Sequence, residues 1–136
     1  MKIAIVHATF NEDLSTRLLE GALRFFDTID EKNVDVFAVP GALELAPFIE
    51  HLHRQGKYKG FIALGAVIKG DTHHFESVCS GTTYGLQKVA IEGDIPVMNG
   101  VLMCYEKEQA IVRSAENEKN KGFECAKGLF ELLKHY

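Results

Sequence analysis

No long apolar run occurs in this 136-residue chain, and none of its hydrophobic stretches approaches the ~20 residues needed to span a bilayer, so no membrane-crossing helix is expected. The opening run Ile3-Ala4-Ile5-Val6 is shorter than the apolar region of a secretory signal, and no small-residue cleavage site follows it. A basic excess is missing too: 15 Lys and Arg stand against 19 Asp and Glu, interspersed, for a formal net charge of -4. That argues against a nucleic-acid-binding domain, which would show a basic face, though not against a local anion site. Cysteine is scarce. Cys79, Cys104 and Cys125 are odd in number and show no CxxC spacing, so neither a structural zinc site nor a disulfide framework is expected, and a reducing cytoplasm is the simplest location. Each lies in an apolar stretch and reads as a small buried hydrophobe. Repeats, low-complexity tracts and linkers are absent, and the length fits one domain over residues 1–136. GxGxxG, Walker A and GxSxG patterns are absent as well, which removes the standard nucleotide and hydrolase fingerprints.

What is present can bury a core: 46% of residues are hydrophobic and 25% charged. Four β-rich runs, Lys2 to Ala8, Val34 to Val39, Gly60 to Ile68 and Ile95 to Met103, are nearly continuous apolar segments, the pattern of strands covered on both faces. Helical periodicity fills the intervals. Leu14, Leu18, Ala22 and Phe25 or Phe26 make one stripe, with Asn11 or Asp13 as N-cap. Leu45, Phe48, Ile49 and Leu52 make another, with Pro47 tolerable only in the first turn. A third is Val78, Thr82, Leu86 and Val89, and two more helical stretches follow at Lys107 to Arg113 and Phe123 to Lys134. This alternation predicts an α/β fold, a four-stranded parallel sheet with helices on both faces. Ligands in such folds bind beyond the carboxyl ends of the strands, which directs attention to the loops after Ala8, Val39, Ile68 and Met103.

The distinctive residues cluster in those loops. Lys69-Gly70-Asp71-Thr72-His73-His74-Phe75-Glu76 reads either as an N-capping turn with surface histidines or as an anion site beside an imidazole suited to proton transfer. Adjacent residues point in different directions, so His73 and His74 are not expected to share a metal; His51 and His53, two apart on a helix, are also wrongly spaced. In Val39-Pro40-Gly41-Ala42-Leu43-Glu44, the carboxylate either accepts hydrogen bonds from a ligand or complements a helix dipole. Phe10, in Thr9-Phe10-Asn11, either stacks on a flat heterocycle or joins the core. Arg113 either clamps a phosphate with its planar fork or ends a solvated helix.

Taken in order, these motifs closely resemble the lumazine synthase family over essentially the whole chain. The matches are Phe10-Asn11, Leu18-Leu19-Glu20-Gly21-Ala22, Val39-Pro40-Gly41-Ala42-Leu43-Glu44, and Leu64-Gly65-Ala66-Val67-Ile68-Lys69-Gly70 running into Thr72, His74 and Phe75. Gly100-Val101-Leu102, Glu108-Gln109-Ala110 with Arg113, and Asn120-Lys121-Gly122 complete the set, of which the loop with His74 is the most specific part.

The resemblance implies a flavodoxin-like three-layer α/β/α sandwich and a transferase of riboflavin biosynthesis. The reaction condenses 5-amino-6-(D-ribitylamino)uracil with 3,4-dihydroxy-2-butanone 4-phosphate to 6,7-dimethyl-8-ribityllumazine, releasing phosphate and water, with no cofactor and no metal. It assigns His74 as the proton shuttle and leaves His73 outside catalysis. Phe10 and Leu43 would flank the pyrimidine and Glu44 would hold the ribityl hydroxyls, with Asn11, Ala42, Val67, Ile68, Lys69 and Asn99 completing that part. Asp71, Thr72, Arg113 and Lys121 would bind the phosphate, Arg113 as its anchor. The partners implied are these small molecules and identical subunits, in a pentamer or a sixty-subunit shell built from pentamers. Active sites would lie between adjacent subunits, so that Met98, Asn99 and Arg113 face a pocket largely built by the neighbour.

The sequence departs from the family pattern in places. Thr9 stands where an arginine is common, Met103-Cys104 where two threonines are usual, and Asn117 where a lysine is frequent, near Lys119. Ala46-Pro47 shifts a familiar proline by one, and Asp71 brings a negative charge to the phosphate loop, unfavourable unless it points away. The chain starts at its first core strand, where many relatives carry a preceding segment that pairs with a neighbour's sheet, so one inter-subunit contact is expected to be weaker. The absence of an insertion between Arg113 and Gly122 leans towards the shell over the free pentamer. Two rival readings exist. A lumazine- or flavin-binding protein without turnover would not need both His74 and Arg113, and a flavodoxin-like electron-transfer or signalling domain would need a different phosphate loop after the first strand.

Overall fold

Side chains alternate between the two faces of a strand, and the buried residues of Lys2–Ala8 (β1) sort accordingly: Ile3 and Ile5 belong to one core, Ala4, Val6 and Ala8 to the other. The computed structural model describes residues 1–136. Val34–Val39 (β2), Tyr58–Ile68 (β3) and Val97–Cys104 (β4) join β1 in one parallel sheet of order β2-β1-β3-β4. Glu12–Thr28 (α1), Lys107–Arg113 (α4) and Lys121–Leu133 (α5) cover one face through Leu14, Leu18, Ala110, Ala126 and Leu129. Leu45–His53 (α2), preceded by a 3-10 turn over Ala42–Glu44, and His74–Gly93 (α3) cover the other through Leu45, Ile49, Val78, Leu86 and Val89. The three-layer α/β/α sandwich read from the sequence is the observed architecture.

Boundaries differ where backbone chemistry overrides hydrophobicity. β4 starts at Val97, not Ile95, because Pro96 has no N–H for the ladder; its carbonyl still accepts from Phe61 N at 2.9 Å. α5 starts at Lys121, ahead of Phe123, because the Asn120 side chain accepts from Gly122 N and Phe123 N and so caps the helix there. Asn11 does occupy the N-cap position of α1, but its side chain makes no capping bond, and its backbone is left-handed at φ 62°. Pro47 is the third residue of α2, inside the first turn, where a missing N–H costs nothing. β2 is not covered on both faces: Val36 is 42% exposed, because α1 lies over β1 and β3 instead of the sheet edge.

His7 sits on β1 beside α1, half-buried, with Nδ1 3.2 Å from the buried Ser15 hydroxyl. Burial holds its imidazole below the ordinary value of 6.5, with Glu12 opposing. The fold therefore favours the neutral ring. Unfolding should take up a proton as pH falls below 6.5, so this contribution is complete above that value and is lost towards the lowered one. Urea midpoints measured from about pH 5 to about pH 8 should rise with pH over that window. In His7→Asn the rise should flatten; an unaltered slope would show that the linkage lies elsewhere.

Candidate active site

Strand order places the site. From β1 the chain moves outwards to β2 and then crosses to β3 on the other side, so the sheet has its switch point between β1 and β3. A crevice must open there beyond the carboxyl ends. A cleft of about 540 Å³ lies at that point, walled by the loops after β1, β2 and β3 and by the first turns of α3.

Several features of the cleft follow from local structure. β1 pairs with β3 only as far as Leu64, while β3 continues to Ile68 against β4. The edge of Gly65–Ile68 that faced β1 is therefore left without strand partners, and its backbone donors and acceptors look onto the crevice. Asn11 Nδ2 occupies one of them, Ala66 O, at 2.9 Å. The left-handed turn at Asn11 and this bond hold the loop after β1 against the end of β3. Phe10 is thereby pushed into solvent, 73% exposed, and is no part of the core. Leu43 is 44% exposed, its methyl packed over Gly81 of α3, where an added Cβ would lie 2.9 Å away. Two exposed apolar side chains at one cleft make a platform for a flat ring. Glu44 adds a carboxylate folded back over Gly41, with no hydrogen-bond donor engaged within the chain.

His74 is the first residue of α3, exposed, and lines the cleft; its backbone N donates to Thr72 Oγ1 at 3.3 Å. The Thr72 hydroxyl, the helix start and the imidazole thus share one corner with Gly70. Of the residues singled out in the sequence, Phe10, Ala42, Leu43, Glu44, Val67, Ile68, Thr72 and His74 meet here.

The others are elsewhere. Asp71, between Gly70 and Thr72, is exposed and does not line the cleft. Asn99 lies within β4, its Oδ1 accepting from Val101 N at 3.0 Å. Arg113 and Lys121 line a separate cavity of about 700 Å³ beyond β4, together with Lys119, Gln109, Cys104 and Tyr105. Three cations and the single carboxylate of Glu124 make this second cavity electropositive. Burial pushes the Cys104 thiol up, against the opposing effect of Arg113. Lys69 belongs to the ridge between the two cavities: Nζ lies 5.6 Å from the Tyr105 ring centre, and that ring is 5.9 Å from Phe75. Tyr105 gave no signal in the sequence, since its contacts arise only from the adjacency of β3 and β4. No three His, Cys, Asp or Glu side chains come together in a group that could hold a metal ion.

Comparison with known proteins identifies the family. A model of the 6,7-dimethyl-8-ribityllumazine synthase family matches residues 1–136. A 6,7-dimethyl-8-ribityllumazine synthase of Pediococcus pentosaceus is 44% identical over 135 residues, 98% of this chain and 86% of its own length. One from Leuconostoc mesenteroides is 41% identical over 134 residues, 97% and 86% of the two chains.

Proposed function

The chain belongs to the 6,7-dimethyl-8-ribityllumazine synthase family, and from that premise we propose that the His74 cleft and the Arg113 cavity are two halves of one active site completed between neighbouring copies. The protein is accordingly a transferase of riboflavin biosynthesis. The observation that carries the proposal is the separation itself: the ring platform and the imidazole occupy one cavity, the cationic cluster another.

In this reading Phe10 and Leu43 hold the pyrimidine, the free edge of Val67 and Ile68 reads its polar rim, and Glu44 accepts the ribityl hydroxyls. The amine attacks the ketone of the phosphorylated butanone. His74 moves protons as the resulting carbinolamine loses water to an imine and as phosphate departs. The second nitrogen then closes the ring with loss of a further water. Arg113 and Lys121 of the adjacent copy, with the Thr72 corner, take the phosphate charge. Holding two substrates in register supplies much of the acceleration, up to ~7–11 kcal/mol when orientation is good. No activated nucleophile is required. The copies are proposed to form a pentamer, itself a unit from which a sixty-subunit shell can be built, in the cytoplasm. No helix is long and apolar enough to cross a membrane.

Mixing the purified protein with both substrates, and following lumazine absorbance and phosphate release together, tests the activity. Matched appearance of both products is expected. Tight lumazine binding with no turnover above the spontaneous background would turn the reading to a binding protein.

A further inference from the structure

Of the motif Asn120-Lys121-Gly122, the site described so far accounts for Lys121 alone. Asn120 is completely buried, and every hydrogen-bonding group of its side chain is used inside the chain. Oδ1 accepts from Gly122 N at 2.8 Å and Phe123 N at 3.1 Å. Nδ2 donates to Ser114 O at 3.0 Å, Ala115 O at 3.1 Å and Arg17 O at 3.2 Å. With only two hydrogens on that nitrogen, at least one is shared between carbonyls. One carboxamide thus fastens the end of α4, the start of α5 and the flank of α1 to a single point.

The residues it fastens are the neighbours of the two cavity cations. Arg113 immediately precedes Ser114, and Lys121 immediately follows Asn120. Between them the chain from Glu116 to Lys119 is exposed and polar, held only by local turn bonds such as Asn117 N to Ala115 O at 2.9 Å and Lys119 N to Asn117 Oδ1 at 2.8 Å, with no core residue to anchor it. Arg113 itself has only a long contact from Nη1 to Gln109 O, at 3.5 Å. What fixes the distance between the two cations is therefore the backbone on either side of the loop, and Asn120 clamps both ends.

We propose that Asn120 is the positioning residue of the anion subsite: by closing the 114–120 loop from inside, it holds Arg113 and Lys121 at the spacing that one phosphate group needs. It touches no substrate. The inference rests on the reading of the second cavity as the phosphate half of the site.

Asn120→Asp separates the two functions of the side chain. A carboxylate still accepts the Gly122 and Phe123 N–H groups, so the cap on α5 survives. Facing Ser114 O, Ala115 O and Arg17 O, however, it presents an oxygen where a donor is needed, and the α4 end is released. With the intact enzyme, the KM for dihydroxybutanone phosphate should rise roughly tenfold. The KM for the pyrimidine should stay within about twofold, and competitive inhibition by inorganic phosphate should weaken in parallel. A purely structural role would move both KM values together. An effect of the new charge alone would leave the phosphate-substrate KM normal in the uncharged Asn120→Ser, which is too short to reach the three carbonyls. Either result, or no change in either KM, would overturn the proposal. Arg113→Ala serves as the reference. If it leaves the phosphate-substrate KM unchanged, the cavity assignment falls and this inference with it. If Arg113→Ala acts and Asn120→Asp does not, only the inference falls.

Should Asn120→Asp not fold, hydrogen exchange on the unmodified protein decides. Saturating inorganic phosphate should slow exchange at Gly122 and Phe123 more than at the sheet amides, because anion binding and the clamped loop are linked. Equal slowing everywhere, or none, would overturn it.

Discussion

Replacing His74 by alanine is expected to slow lumazine formation by about 10²–10⁴-fold, the usual worth of a positioned acid-base group. The size of the effect follows from how little else the cleft offers for proton traffic. Its polar side chains are the acceptor Glu44, the hydroxyl of Thr72 and this one imidazole, set among apolar ones such as Phe10, Leu43 and Val78. Carbinolamine collapse and phosphate departure both need a proton delivered or removed, and imidazole does both. Folding should be unaffected, since His74 is exposed and its side chain makes no hydrogen bond that the helix depends on. The measurement is kcat with both substrates saturating, alongside far-UV circular dichroism. A rate within about threefold of the parent, with the spectrum unchanged, would return His74 to the status of a surface histidine in an N-terminal turn.

Gly122→Ala is expected to produce the largest loss of stability from a single methyl group. At that position α5 meets α1 backbone to backbone: an added Cβ would run into the Leu18 carbonyl oxygen, and would come within 2.7 Å of the Leu18 carbonyl carbon. Neither atom can swing aside, so the two helices would have to separate. Gly21 on α1 faces the same junction, where only the lack of a Cβ leaves room for the Asn120 carboxamide, so separating the helices would disturb the clamp too. Overpacking against rigid partners costs about 3 kcal/mol at its upper end. The better helix propensity of alanine returns at most about 1 kcal/mol. Gly128→Ala, on the same helix, is the control, because its new methyl would meet only the flexible tip of Met98, at 2.8 Å. Urea unfolding of the two variants should differ by about 2 kcal/mol or more. Similar midpoints would mean that the α1–α5 junction is softer than its geometry indicates.

Where sequence reading succeeded, the information was local. The stripe Val78, Thr82, Leu86 and Val89 is the buried face of α3, and the limits of β1, β2 and α4 coincide with the two apolar runs and the helical stretch that the sequence shows. Where it fell short, a distant partner intervened. Asn11 looked like an ordinary cap because asparagine commonly is one; its amide instead serves Ala66, 55 positions away. Periodicity puts the start of α5 at Phe123 because Lys121-Gly122 carries no apolar signal, whereas Asn120 caps the helix two residues earlier. Phe10 could have joined the core or faced a ligand, and only the position of Asn11 against β3 turned it outwards.

By itself, the sequence determined the number, order and type of the elements, and showed that the chemistry-bearing residues collect in loops after strands. Periodicity and turn chemistry operate over a few residues and can be read along the chain. Only the tertiary structure decided which loops share a cavity. The order β2-β1-β3-β4 brings Phe10, Glu44 and His74 to the switch point and leaves Arg113 and Lys121 beyond the edge strand. That order depends on which buried faces fit together, a choice made by packing among segments far apart in the chain.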